Sequence, residues 1–148
     1  MDACLIWLAD HIVLPRDKRF VDLRKTHVML NVRTAAAPWL PFHLKGTADV
    51  AIVDRACVSS GFVSRGLLVI FEFKKAVADI DGRQAIAEFI AADVHSNFSV
   101  VLVLTDLNNT WRFFWADGAI KVTTVGMDTA IEWINLLART DESGQPAH

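Results

Sequence analysis

A single α/β domain with a mixed central sheet is predicted by three features of the 148-residue sequence. Residues 67–73 are a β-branched and aromatic run that ends abruptly in the charged sequence Glu72-Phe73-Lys74-Lys75. Residues 98–105 are an apolar run, unbroken from Val100 to Leu104, the pattern of a strand covered on both faces. Between these runs Ile86, Phe89, Ile90 and Val94 recur at helical spacing. Apolar residues make up 53% of the chain against 22% charged, and the mean hydropathy is +0.32, enough for one proper core with strands buried on both sides.

Taken in order, residues 1–14 place Leu5, Ile6, Leu8, Ala9, Ile12 and Val13 in a helix that ends at Pro15. Residues 15–25 are the most basic segment and either continue the helical layer or form a solvated loop. Apolar positions 28, 30 and 32 predict a strand, and residues 35–41, with two prolines and Trp39, a loop or edge. Residues 47–53 alternate and are followed by a turn-like stretch, 54–66, so 47–53 and 67–73 pair as an antiparallel hairpin with a loose connection. A helix is predicted over 79–95, with acidic residues at its start and Gln84 and Glu88 on its non-core face. A central strand over 98–105, a hairpin of 111–116 with 120–125 turning at Asp117-Gly118, and an amphipathic helix over 129–139 complete the domain. Residues 1–140 then form one domain and 141–148 a flexible tail, and the first six elements run helix, three strands, helix, strand: an αβββαβ core.

Composition narrows the function classes. No apolar run approaches the roughly 18 residues of a membrane span, so no membrane partner is expected. Residues 1–14 hold Asp10 and His11 and lack a basic start and a small-residue cleavage site, so no secretory signal segment is expected there. Cys4 and Cys57 are too few for a disulfide framework or a zinc site and read as free thiols; the five histidines show no metal spacing. The net charge of −2 argues against a nucleic-acid binder, but its distribution is uneven. Residues 1–83 hold 12 Lys+Arg and 9 Asp+Glu, a local +3, and residues 84–148 hold 3 and 8, a local −5. A basic half of this kind suits phosphate binding, and Arg16, Lys18, Arg19, Arg24, Lys25, Lys45, Lys75 and Arg83 are the candidate contacts.

The residues able to do chemistry lie on the central hairpin. Asp49 sits early in one strand and Glu72 near the end of the other, so antiparallel pairing brings start to end and lets two carboxylates converge on one ion. Hard oxygen ligands favour Mg2+ or Mn2+ over zinc. Glu72 and Lys74 are two apart on a strand and share a face, where Lys74 can orient a water and stabilise developing negative charge. Phe73 points to the opposite face, into the core, leaving its carbonyl as a further metal ligand. Phosphodiester hydrolysis needs these parts: a carboxylate-held metal, an activated water and a nearby cation. The bland alternative makes Glu72 and Lys74 solvated residues at a strand exit, and Gln84 and Glu88 a polar helix surface. The aromatic group Trp111, Phe113, Phe114, Trp115 and Trp133 reads as core and edge packing, with base stacking as the alternative.

An Asp followed by Glu-x-Lys is the signature of the PD-(D/E)xK restriction-endonuclease-like fold, and a longer pattern is more specific. The runs Trp39-Leu-Pro-Phe-His-Leu-Lys-Gly-Thr-Ala-Asp49-Val-Ala-Ile-Val, Phe71-Glu-Phe-Lys-Lys75, Gln84-Ala-Ile-Ala-Glu88 and Leu104-Thr-Asp-Leu107, with Trp111 and Phe114-Trp115, resemble the C-terminal effector domain of the Crinkler proteins, which oomycetes and some fungi deliver into host cells. The resemblance covers roughly residues 27 to 135. It implies a restriction-endonuclease-like fold and a secreted effector that acts on double-stranded DNA in the host nucleus. It also implies that Gln84 stands near metal and phosphate, and that a further acid comes from the first helix, for which Asp10 and Asp22 are the candidates. Position 48 is Ala where the motif name has Pro. The Leu-Phe-Leu-Ala-Lys translocation motif is not among these residues, which reads as an excised domain or a short relative.

Three functions follow as expectations. The first is a Mg2+- or Mn2+-dependent DNA endonuclease with Asp49, Glu72, Lys74 and Gln84 as catalytic residues and Asp49, Glu72 and Phe73 as metal ligands. The second is a nuclease fold that binds DNA or a host nuclear protein without cutting. The third is one half of an assembly, such as a homodimer.

Overall fold

The computed structural model describes residues 3–24, 30–32, 44–46, 49–74 and 81–139, with 30–32, 44–46 and 81–84 described by their backbone. The first helix, α1 (Ala3–His11), ends before Pro15 and is followed by strand β1 (Lys18–Asp22). Strands β2 (Leu30–Val32) and β3 (Leu44–Gly46) pair antiparallel as a separate two-stranded ribbon. Then come β4 (Val50–Asp54), a short helix α2 (Arg55–Ser59), a 3-10 turn (Val63–Gly66) and β5 (Leu67–Phe73). Helix α3 (Asp81–His95), strands β6 (Val101–Thr105), β7 (Trp111–Asp117) and β8 (Ala119–Val125), and helix α4 (Met127–Leu137) complete the elements of the described residues.

Six strands form one mixed sheet in the order β1-β4-β5-β6-β7-β8. Only β5 and β6 run parallel, joined through α3; the other neighbours are antiparallel. The predicted mixed α/β architecture is therefore present, with two corrections. The first strand of the sheet is β1, inside the basic segment read as helix or loop. The strand anticipated near position 30 belongs to the ribbon, which lies against α3 rather than in the sheet. Within the main sheet the order is nonetheless helix, three antiparallel strands, helix, and a strand parallel to the last.

The middle strands are buried on both faces, which explains the high hydropathy. Ala51, Val53, Ile70, Leu102, Leu104 and Phe114 pack under α3 with Ala85, Phe89 and Ala92. Val50, Ile52, Phe71, Val103, Trp111 and Phe113 pack on the other side, under α1 and α4, with Leu8, Ile12, Ala130 and Ile134. Each fully buried side chain of this size is worth about 1.5–3 kcal/mol relative to exposure, so the β4–β5–β6 strip is the rigid frame of the molecule. Two glycines serve this frame. A side chain at Gly66 would meet the Cys57 Cβ at 2.6 Å, so only glycine lets the 3-10 turn close on α2. Gly118, at φ +74°, takes the left-handed conformation that turns β7 into β8.

Candidate active site

The β4–β5 register sets the site. Val50 stands opposite Phe71, so the next pair outward is Asp49 with Glu72. Strand β4 begins at Val50, and positions 47 and 48 of the expected strand lie outside the described residues. The Asp49 N–H donates to the Phe71 carbonyl at 3.0 Å, and Asp49 Oδ2 accepts from the Phe73 N–H at 2.8 Å. Residues facing each other across an antiparallel pair share a face, and this is the α3 face, as the neighbouring Ala51 and Ile70 pack there. Phe73 turns to the other face and stacks with Phe71, ring centroids 6.1 Å apart.

Glu72 is 5% exposed, not the solvated strand exit of the bland alternative. Its Oε1 lies 3.3 Å from the Lys74 Nζ, and its Oε2 is buried without a hydrogen-bond partner. Burial pushes the Glu72 carboxyl above its ordinary value of 4.5, and the negative charge of Asp49 pushes the same way; hydrogen bonding with Glu88 and the cation of Lys74 oppose them and lose. Lys74 is anchored by its N–H to the Thr105 carbonyl at 3.1 Å, which ties the site to the end of β6. The loop beyond β6 is held by Asp106, whose Oδ1 accepts the Asn108 and Thr110 N–H groups at 2.9 and 3.0 Å.

Glu88 is the residue that sequence reasoning misplaced. It is 1% exposed, on the face of α3 that carries Ala85 and Ala92, and it hydrogen-bonds Glu72. Its spacing from Ala85 and Ala92, three and four residues, was the available signal. A carboxylate in an apolar stripe is easily read as surface.

The additional acid resolves in part. Asp10 is exposed on α1, and α1 packs on the opposite side of the sheet from Glu72, so Asp10 is not part of the site. Asp22 is near it: the Arg24 Nε lies 3.6 Å from Asp22 Oδ1 and 3.8 Å from Asp49 Oδ1, bridging the two acids. Gln84 and Arg83 are placed by backbone in the first turn of α3, and Lys45 in β3. Lys25 and Lys75 lie outside the described residues.

The expected basic surface is divided. Lys18 is buried, its Nζ 2.7 Å from Asp17 Oδ2, 4.0 Å from Asp54 Oδ1 and 5.8 Å from the Phe98 ring centroid, so it is not a phosphate contact. Exposed Arg16 and Arg19 stand with it at the Asp54 end of β1, while Arg24 stands past the Asp22 end. Four strand residues separate those ends by about 13 Å. Lys18→Ala is accordingly expected to lower stability by about 1–3 kcal/mol, since Asp54 loses its buried cation, and to leave DNA affinity unchanged. Urea unfolding and DNA titration of the variant check both parts.

Among the described residues no group of three or more His, Cys, Asp or Glu is arranged to hold an ion. The donors present still fit Mg2+, which keeps much of its water and takes one or two carboxylates alongside substrate phosphates. Glu72 Oε2 and Glu88 Oε2 are both buried without a hydrogen-bond partner, and the first belongs to the residue that stands opposite Asp49 in the register.

Comparison with known proteins adds a sequence relationship to this geometry. The chain is similar to Crinkler effector proteins. It is 33% identical over 89 residues to Crinkler effector protein 2 of Phytophthora infestans, covering 58% of this chain and 20% of that protein. Against Crinkler effector proteins 161 and 63 of Phytophthora sojae it is 32% identical over 88 residues, again 20% of each. The chain thus spans about a fifth of the length of these Crinkler relatives. No family model matches the chain, and no solved structure matches it. No helix among the described residues is long and apolar enough to cross a membrane.

Proposed function

We propose that this chain is a metal-dependent nuclease-like domain of a Crinkler-type secreted effector, hydrolysing DNA phosphodiester bonds in a host nucleus. The observation that carries the reading is the placement of Asp49 opposite Glu72, with the Lys74 Nζ 3.3 Å from Glu72, where two central strands leave the core. Paired carboxylates and an adjacent ammonium on a rigid strip are the parts that phosphodiester hydrolysis requires. The order of main-sheet elements supports a restriction-endonuclease-like core, and the similarity to Crinkler effector proteins supports the effector role.

In this reading Asp49 and Glu72 hold Mg2+ or Mn2+, with the Phe73 carbonyl as a further donor. The ion supplies Lewis acidity at the phosphate and lowers the pKa of bound water. Lys74 orients the attacking water and offsets charge developing on the phosphate. The Phe73 N–H fixes the Asp49 carboxylate, and Arg24 limits its repulsion with Asp22. Gln84, in the first turn of α3, is the candidate for contact with phosphate.

Plasmid cleavage by the purified protein tests the proposal. Nicking or linearisation with Mg2+ or Mn2+, abolished by EDTA, is the expected result. DNA binding is expected to weaken steeply between low and moderate salt as phosphate counterions are released. Salt-independent binding with no cleavage would favour the second reading, a fold that contacts a host nuclear protein. The net charge of −2 and the burial of Lys18 are the observations on that side.

A further inference from the structure

A cavity of about 520 Å3 opens where β5 and β6 begin beside α4, at the other end of these strands from Glu72. Leu68 on its wall is four strand residues from Glu72, about 13 Å, so the cavity is separate from the carboxylate site. Cavities of roughly 300–1,000 Å3 hold ligands of drug-like size. Four aromatic rings line this one, those of Phe98, Phe113, Trp115 and Trp133. Trp133 is 36% exposed and meets Phe113 edge to face, the rings 75° apart in plane and 5.2 Å between centroids. Asp93 is the single charged residue lining the cavity among the described residues. Its Oδ1 accepts one hydrogen bond, from the Val100 N–H at 3.2 Å.

These parts select for charge. A purely apolar ligand would cover the remaining lone pairs of the Asp93 carboxylate without a donor, which is costly. An anion would be repelled by the same group. The faces of aromatic rings are electron-rich and attract organic cations, tryptophan most strongly. Charge around the cavity agrees: every lining residue but Leu68 belongs to residues 84–148, which hold 3 Lys+Arg and 8 Asp+Glu. Lys18, 5.8 Å from the Phe98 ring centroid, is already held by Asp17 and Asp54. We propose that this cavity binds a small organic cation, an alkylated ammonium on an aromatic or aliphatic body, with Trp115 and Trp133 against its alkyl groups and Asp93 balancing its charge. This site is independent of the nuclease reading.

Three probes that share one ring separate charge from burial: benzyltrimethylammonium, neutral benzyl alcohol and anionic phenylacetate. Each is titrated into the full chain labelled with nitrogen-15, in EDTA, and the tryptophan indole N–H signals are followed by NMR. Benzyltrimethylammonium is expected to shift the signals of Trp115 and Trp133, leave those of Trp7 and Trp111 fixed, and saturate with a Kd of about 0.1–1 mM, ordinary for a ligand of this size. Benzyl alcohol is expected to bind at least about tenfold more weakly and phenylacetate not at all. Asp93→Asn removes the charge and keeps an oxygen for the Val100 N–H, so the fold should hold. It is expected to weaken the cation about tenfold and leave benzyl alcohol unchanged. Trp133→Leu keeps an apolar wall without the ring and should weaken the cation by about three- to tenfold. Equal binding of the alcohol and the cation, or cation binding unchanged in a folded Asp93→Asn protein, would overturn the proposal and leave a cavity that merely takes up apolar groups. No shift at Trp115 or Trp133 up to about 10 mM cation, far weaker than any specific site of this size requires, would overturn it as well.

Discussion

Glu72→Gln and Lys74→Ala are each expected to reduce DNA cleavage by about 10²–10³-fold, the usual loss when one preorganised electrostatic group is removed from an active site. The two variants differ in every other respect. Glu72→Gln removes a charge that is 5% exposed and raised in pKa by burial, so the fold should gain from its loss. The sign follows from linkage: a folded-state carboxyl held above its ordinary 4.5 binds its proton more tightly than the unfolded chain does. Stability therefore falls as pH rises from about 4.5 through the raised value, and then levels. Urea unfolding in EDTA should show wild type losing ground to Glu72→Gln across that window, with the gap widest at neutral pH. Lys74→Ala leaves Glu72 without its nearby cation and should unfold more easily at neutral pH. DNA affinity without metal should tighten in Glu72→Gln and loosen in Lys74→Ala, because one loses negative and the other positive charge beside phosphate. Host-cell effects undiminished in both cleavage-dead variants would assign this fold to binding.

The same residues show why the fold and the site were legible unevenly. Strands β5 and β6 could be read because burial on both faces leaves a run of apolar residues that few other structures produce. Strand β1 could not: Lys18, Arg19 and Asp22 make three of its five residues charged. An edge strand gains from such charges, which discourage pairing with other chains, and pattern alone cannot show that Lys18 turns inward to Asp17 and Asp54. Helix α2 has five residues, too short for a helical period. At the site, the spacing of Glu72 and Lys74 on one strand gave their shared face, and antiparallel pairing brought Asp49 opposite. The burial of Glu72 and the inward turn of Glu88 depend on which face α3 covers, a tertiary fact. Asp22 approaches Asp49 through Arg24, a contact made across two strands by a side chain with no sequence signature.

The aromatic cluster offers the second large effect. Trp111 is fully buried, its ring centroid 5.5 Å from that of Trp7, and its Nε1–H donates to the Asn108 carbonyl at 3.2 Å. Its truncation empties the junction of α1 with the sheet and strands that carbonyl. Trp111→Ala is therefore expected to cost about 3–5 kcal/mol, the range for a large aromatic removed from a packed core. That is a large part of the 5–15 kcal/mol by which domains of this kind are usually stable. Trp133 makes the control. It is 36% exposed and meets Phe113 edge to face at 5.2 Å, so Trp133→Ala should cost about 1 kcal/mol, the worth of one such aromatic pair. Urea midpoints of the two variants measure the difference. DNA affinity separates packing from base stacking: it should match wild type in both variants under conditions where each is folded. An affinity loss in Trp133→Ala out of proportion to its stability would mean that this ring stacks on bases, which typically contributes about 1–3 kcal/mol per base. Trp111 lacks that option, because no face of its ring reaches solvent.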